Sequence, residues 1–244
     1  MGKSAFGPGI KAGEPNYVLP LMRVNEVSTP RGADTLGDPV AANFLIAIDQ
    51  VDGIDEAQRG QIKAAVASYG LQMVEEFGCR HDHYALIGQD SIRRYRPVEH
   101  MRIRVVPEDS WFEIVARVCA ARFAGCRVTV SSCSQNHDDR LDRLHELTEA
   151  WAASVEFVEE DDAALVQIIV EGQTDRIRFA DDSRVPDVVR TAAAKAGLFL
   201  ATATVLMEGR VELCWYVHEQ SLCVDYHRYG NLGDRSGEQR SPVA

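Results

Sequence analysis

The chain is expected to be an α/β protein built on a parallel sheet of about five strands flanked by helices. Three observations carry that expectation. Short apolar runs of strand length recur between residues 101 and 207. Stretches with apolar residues at helical spacing separate them, and glycines close those stretches where a helix would stop.

Residues 101–106 alternate and then break at Pro107, which reads as a strand and its end. Trp111, Ile114, Val115, Val118 and Cys119 follow at helical spacing, and Gly125 supplies the stop. Residues 127–130 form the next strand. The stretch 137–153 puts Leu141, Leu144, Leu147 and Trp151 on one helical face, with Asp138 and Asp139 suited to its positive N-terminus. Residues 155–158 read as a strand and 161–171 as a helix closed by Gly172. Residues 176–179 read as a strand, 186–196 as a helix closed by Gly197, and 198–205 as strand-like again. Strands alternating with helices of this length imply parallel pairing through right-handed crossovers. The predicted sheet is half-Rossmann-like.

The flanking segments read differently. Residues 1–22 are rich in glycine and proline and are expected to be loop. From 23 to 53, Pro30, Gly32, Gly37 and Pro39 argue against a long helix, so the segment reads as a connecting arm around the apolar stretch 44–48. Residues 54–77 form the longest helical pattern, ended by Gly78, with a bend or break expected at Gly70. Residues 84–97 lead into the sheet, so 54–97 reads as a helix and lead-in ahead of an α/β domain at 98–217. Residues 211–217 fit either a strand or a short helix. Beyond them, 218–244 reads as a tail in which Tyr226, His227, Arg228 and Tyr229 are residue types common at interfaces.

Composition excludes several classes. A net charge of −11 argues against nucleic acid, and the short basic run at Arg93, Arg94 and Arg96 reads as arginines leading into a strand. No apolar run approaches the roughly 20 residues of a membrane-spanning helix. The six cysteines form no CxxC pair and read as reduced thiols, which places the chain in the cytoplasm. Cys79, His81, Asp82 and His83 are the one local group of potential metal ligands. Their spacing matches no zinc framework, so the reading is a polar loop with no metal.

A dinucleotide site needs a glycine-rich turn that lets backbone amides approach a pyrophosphate at a helix N-terminus. The first strand instead runs into Pro107, Glu108, Asp109 and Ser110, a turn without glycine that places two carboxylates where a diphosphate would lie. No cofactor is therefore expected to bind this chain alone. Cys133 follows a strand, with Ser131, Ser132, His137 and Asp138 nearby. Ordinary loop composition explains that group better than a nucleophile does, so no catalytic residue is assigned.

The string Phe6-Gly-Pro-Gly-Ile-Lys-Ala-Gly-Glu-Pro-Asn-Tyr17 resembles the end of the catalytic domain in the dehydrogenase half of bifunctional proline utilisation A proteins, members of the aldehyde dehydrogenase superfamily. It departs from that pattern at Glu14, where glycine is usual. A looser resemblance covers 84–105, and the tail 219–233 resembles the terminal motif of the longer members. The resemblance implies NAD-dependent oxidation of L-glutamate γ-semialdehyde in proline catabolism. It begins downstream of the family's catalytic cysteine, glutamate and cofactor site, so no position here inherits those roles. What it implies for this chain is a C-terminal, non-catalytic portion that covers a channel or holds an oligomer, inactive alone. Its partner would be the catalytic dehydrogenase portion or further copies of itself, meeting it through Phe6, Tyr17, Tyr226, His227, Arg228 and Tyr229. The alternative is a free-standing α/β binding module that has lost the enzyme.

Overall fold

In the computed structural model the described residues are 16–133, 138–227 and 231–240. Five strands pair in parallel: β2 (His100–Arg104), β3 (Arg127–Ser132), β4 (Val155–Glu159), β5 (Arg176–Arg178) and β6 (Phe199–Ala201), in the order β4-β3-β2-β5-β6. His100 pairs with Arg127 and Met101 with Arg176, so β2 is the central strand from which the chain works outward, first to one side and then to the other.

The helices between the strands start and stop where local chemistry dictates. In α3 (Trp111–Ala124), Ser110 Oγ accepts from Glu113 N at 3.2 Å while Glu113 Oε2 accepts from Ser110 N at 2.7 Å, a reciprocal cap. Gly125 ends it at φ 82°, a left-handed conformation that costs glycine nothing. Asp138 caps α4 (Asp139–Leu147), and Asp161 caps α5 (Asp162–Glu171) by accepting from Ala164 N at 2.8 Å. Pro186 precedes α6 (Asp187–Ala196).

Packing follows the two faces of the sheet. Met101, Ile103, Val128 and Val130 join Ile114, Val118 and Leu144 in the main hydrophobic core. Ile177 and Phe179 face the other way and pack with Leu165, Ile169, Val189 and Ala192 from α5 and α6 in a second, smaller cluster. Alternation of side chains along a strand requires this division.

Several elements differ from the sequence expectation. The arm contains a helix, α1 (Pro39–Ile48), because Asp38 caps it from Oδ1 to Val40 N at 2.9 Å. Pro39, which counted against a helix, sits in its first turn, where a missing N–H is harmless and φ is already helical. Phe44 then packs against Trp151, with the rings tilted by 36° and their centroids 4.6 Å apart. Helix α2 (Glu56–Gln72) passes Gly70 without breaking and widens only afterwards, into a π-helical turn at Met73–Phe77. The strand expected at 198–205 is confined to β6. Residues 211–217 are mostly helical: α7 (Gly209–Glu212) runs into a 3-10 turn at Leu213–Tyr216.

The lead-in and the tail are partners. Strand β1 (Gln89–Pro97) pairs antiparallel with β7 (Val217–Asp225), from Gln89 opposite Asp225 to Pro97 opposite Val217. The result is a two-stranded ribbon separate from the main sheet. Among the described residues no helix is long and apolar enough to cross a membrane.

Candidate functional site

In an open parallel sheet the place for a ligand is the crevice at the carboxyl ends of the strands where the winding direction reverses. Here that point lies between β2 and β5, and two turns overlook it: residues 107–110 before α3, and 181–184 before α6.

Asp109 fills the first turn. Its side chain is wholly buried and its Oδ2 accepts from Arg117 Nη2, also wholly buried, and from Val106 N at 3.2 Å. Its Oδ1 accepts from Arg184 Nη1 at 2.6 Å. Arg117 Nη1 donates to Arg104 O at 2.8 Å and to Arg178 O at 3.4 Å, so one guanidinium ties the carboxyl ends of β2 and β5 together across the reversal. Arg184 also pairs with Glu113 at 3.0 Å, and Arg140 donates to the main-chain carbonyls of Asp109 and Pro107. Burial alone would raise the Glu113 carboxyl, but hydrogen bonds from Arg184 and Ser110 outweigh it and hold it below the ordinary carboxylate range.

The second turn is also occupied by its own acids. Asp181 accepts from Ser183 N at 2.9 Å and Oγ at 2.7 Å, and these bonds lower its pKa. Asp182 pairs with Arg190 at 3.0 Å. Beneath them Arg178, buried, meets Glu212 at 2.9 Å, and Tyr216 OH donates to the same Glu212 oxygen at 2.9 Å. Burial works against the charge on Arg178, and Glu212 reverses the effect, raising its pKa. Burial pushes the Tyr216 and Tyr69 phenols far up, so neither serves as a base.

These residues do not fit a dinucleotide pyrophosphate. Neither turn carries a glycine through which backbone could approach a phosphate, and Asp109 holds the cations that would attract one. The arrangement can brace two strand ends.

A second polar cluster joins the ribbon to the body. Glu76 accepts from Arg93 Nη1 at 2.7 Å and from Tyr95 OH at 2.6 Å, with Arg210 Nη2 3.4 Å away. Asn16 Nδ2 donates to Tyr95 OH at 3.0 Å and to Glu219 Oε2 at 3.3 Å. Of the residues read as a polar loop, His81 and His83 stack on each other at 5.5 Å between ring centroids and join this cluster. His81 Nε2 lies 3.3 Å from Glu76, His83 Nε2 is 3.2 Å from Arg93 Nη2, and Cys79 Sγ donates to Val74 O. Among the described residues no group of three or more His, Cys, Asp or Glu side chains could hold a metal ion.

Of the candidate interface residues, Tyr17 is exposed beside Asn16. Tyr226 and His227 come together at the open end of the ribbon. Tyr226 OH donates to Asp90 at 2.7 Å, Arg235 lies 3.8 Å over its ring, and His227 Nδ1 is 3.4 Å from Asp225. Phe6, Arg228 and Tyr229 lie outside the described residues, as does His137 beside Cys133. Ser131, grouped with Cys133 in sequence, is buried and donates to Glu160 Oε1 at 2.6 Å. Sequence reasoning missed Arg117 and Arg184. The available signal for Arg117 was a charged residue on the apolar stripe of Ile114, Val118 and Ala121.

No family model matches the chain, and neither does any curated protein. Solved structures do. Proline utilisation A from Corynebacterium freiburgense matches over 92% of this chain and 18% of its own, with a TM-score of 0.58 and 22% identity. The glyceraldehyde-3-phosphate dehydrogenase of Methanocaldococcus jannaschii DSM 2661, complexed with NADP, matches over 68% and 40%, with a TM-score of 0.55 and 11% identity. A protein described as a methylmalonate-semialdehyde dehydrogenase from Sinorhizobium meliloti 1021, complexed with NAD, matches over 66% and 36%, with a TM-score of 0.50 and 17% identity. The fold is the one found in these aldehyde dehydrogenase structures. The chain spans well under half the length of each of them, and at these identities the likeness is one of fold.

Proposed function

We propose that this chain is a non-catalytic portion of an NAD-dependent L-glutamate γ-semialdehyde dehydrogenase assembly of proline catabolism, C-terminal to the catalytic centre and inactive alone. Its work is structural: it covers or braces a catalytic portion that supplies the reacting thiol and the coenzyme site. The observation that carries this reading is Asp109. A buried carboxylate, held by Arg117 and Arg184, stands at the reversal point of the sheet where a coenzyme's pyrophosphate would otherwise have to sit. The likeness of fold to the solved proline utilisation A supports the choice of assembly, as does the opening string from Phe6 to Tyr17. The ribbon, with Tyr226 and His227 at its open end, offers the contact surface.

The test is co-expression with the catalytic portion of a proline utilisation A protein. A stable co-purifying complex that oxidises the semialdehyde, beside an isolated chain that does not, supports the reading. Reduction of NAD by the isolated chain refutes it.

A further inference from the structure

Helices α5 and α6 lie side by side on one face of the sheet, and an apolar groove of about 580 Å³ runs between them. Val170 and Val188 on its walls are 66% and 57% exposed. The small side chains Thr191 and Ala192 form its centre, and its two ionisable residues are Asp187 at one end and Lys195 at the other. Neither makes an ion pair among the described residues. They are separated by about 12 Å along the helix axis, with Thr191 midway between them.

That layout is self-complementary. A two-fold axis reverses the direction of α6, so an acidic end meets a basic end twice, and the small residues lie where the helices approach most closely. A second copy supplies both answering charges and the apolar cover from the same residues. We propose that the α5–α6 groove is a contact between two copies of this chain, packed antiparallel about an axis over Thr191 with each Asp187 facing the partner's Lys195. The proposal is independent of any dehydrogenase partner.

The expected strength follows from size. Two ten-residue helices present a face of about 15 by 20 Å, or roughly 600 Å² buried in total. That falls below the roughly 1,200 Å² of a standard stable interface, so the dimer is weak and reversible. The net charge of −11 opposes it further, which calls for about 150 mM salt to screen repulsion beyond about 8 Å.

Sedimentation velocity from about 10 to 500 μM chain reads the association. The wild type is expected to shift toward dimer across that range. Lys195→Asp, which sets two acids against each other, is expected to weaken dimerisation at least tenfold, as is Val188→Glu. The double exchange D187K/K195D, which keeps opposite charges facing across the axis, is expected to restore it; circular dichroism melting confirms that each variant is folded. A wild type that stays monomeric to 500 μM overturns the proposal. So does association that K195D leaves unchanged, or a folded double variant that fails to recover it.

Discussion

Replacing Asp109 with alanine exposes the energetics of the reversal point. The substitution strips the counter-charge from Arg117, whose side chain is wholly buried, while Arg184 keeps Glu113. Breaking a buried pair by removing one partner costs about 3–5 kcal/mol, because the remaining charge has no solvent to relax into. Arg184 is partly exposed and adds less than about 1 kcal/mol. With a urea slope of about 2–3 kcal/mol/M, the unfolding midpoint is expected to fall by roughly 1–2.5 M. The double variant D109A/R117M carries no stranded charge and is expected to regain about half of the loss. The recovery is partial because Arg117 also satisfies the carbonyls of Arg104 and Arg178. A D109A variant within about 1 kcal/mol of wild type refutes the reasoning.

Three further expectations concern stability and access. Glu113 has a folded pKa below its ordinary 4.5, so its stabilisation is complete above about pH 4.5 and is lost as the pH falls through the folded value. E113Q is therefore expected to be about 1 kcal/mol less stable than wild type at pH 7, with the gap closing below about pH 4 in urea melts. Gly209→Ala places a Cβ 2.8 Å from Ser68 O and 2.9 Å from Ser68 C, backbone that cannot move aside cheaply. A loss of about 1–3 kcal/mol is expected, and an unchanged melt contradicts that packing. Burial pushes the thiols of Cys126 and Cys214 up to about 12, and that of Cys119 higher still, whereas Cys223 is exposed. A disulfide reagent at pH 8 is expected to label Cys223 quickly and these three only on unfolding, as mass spectrometry of the labelled peptides will show.

The sheet was legible because β2 to β6 carry apolar runs, and because Gly125, Gly172 and Gly197 mark helix ends by a rule local to the chain. The ribbon was not. Strand β1 carries Arg93, Arg94 and Arg96, β7 carries His218, Glu219 and Gln220, and neither shows an apolar face. Its support comes from pairing between distant segments and from Glu76 holding Arg93 and Tyr95, contacts that no local window contains. The site divides in the same way. The acids of the turn at 107–110 were evident in the sequence, but their counter-ions were not read from it: Arg184 comes from a turn 75 residues away, and for Arg117 the one signal was its place on the apolar stripe of its helix.

Isothermal titration of NAD into the purified chain tests most directly the claim that Asp109 closes the reversal point to a coenzyme. No saturable heat up to about 1 mM NAD is the expected result, whereas a binding curve in the micromolar range contradicts the account.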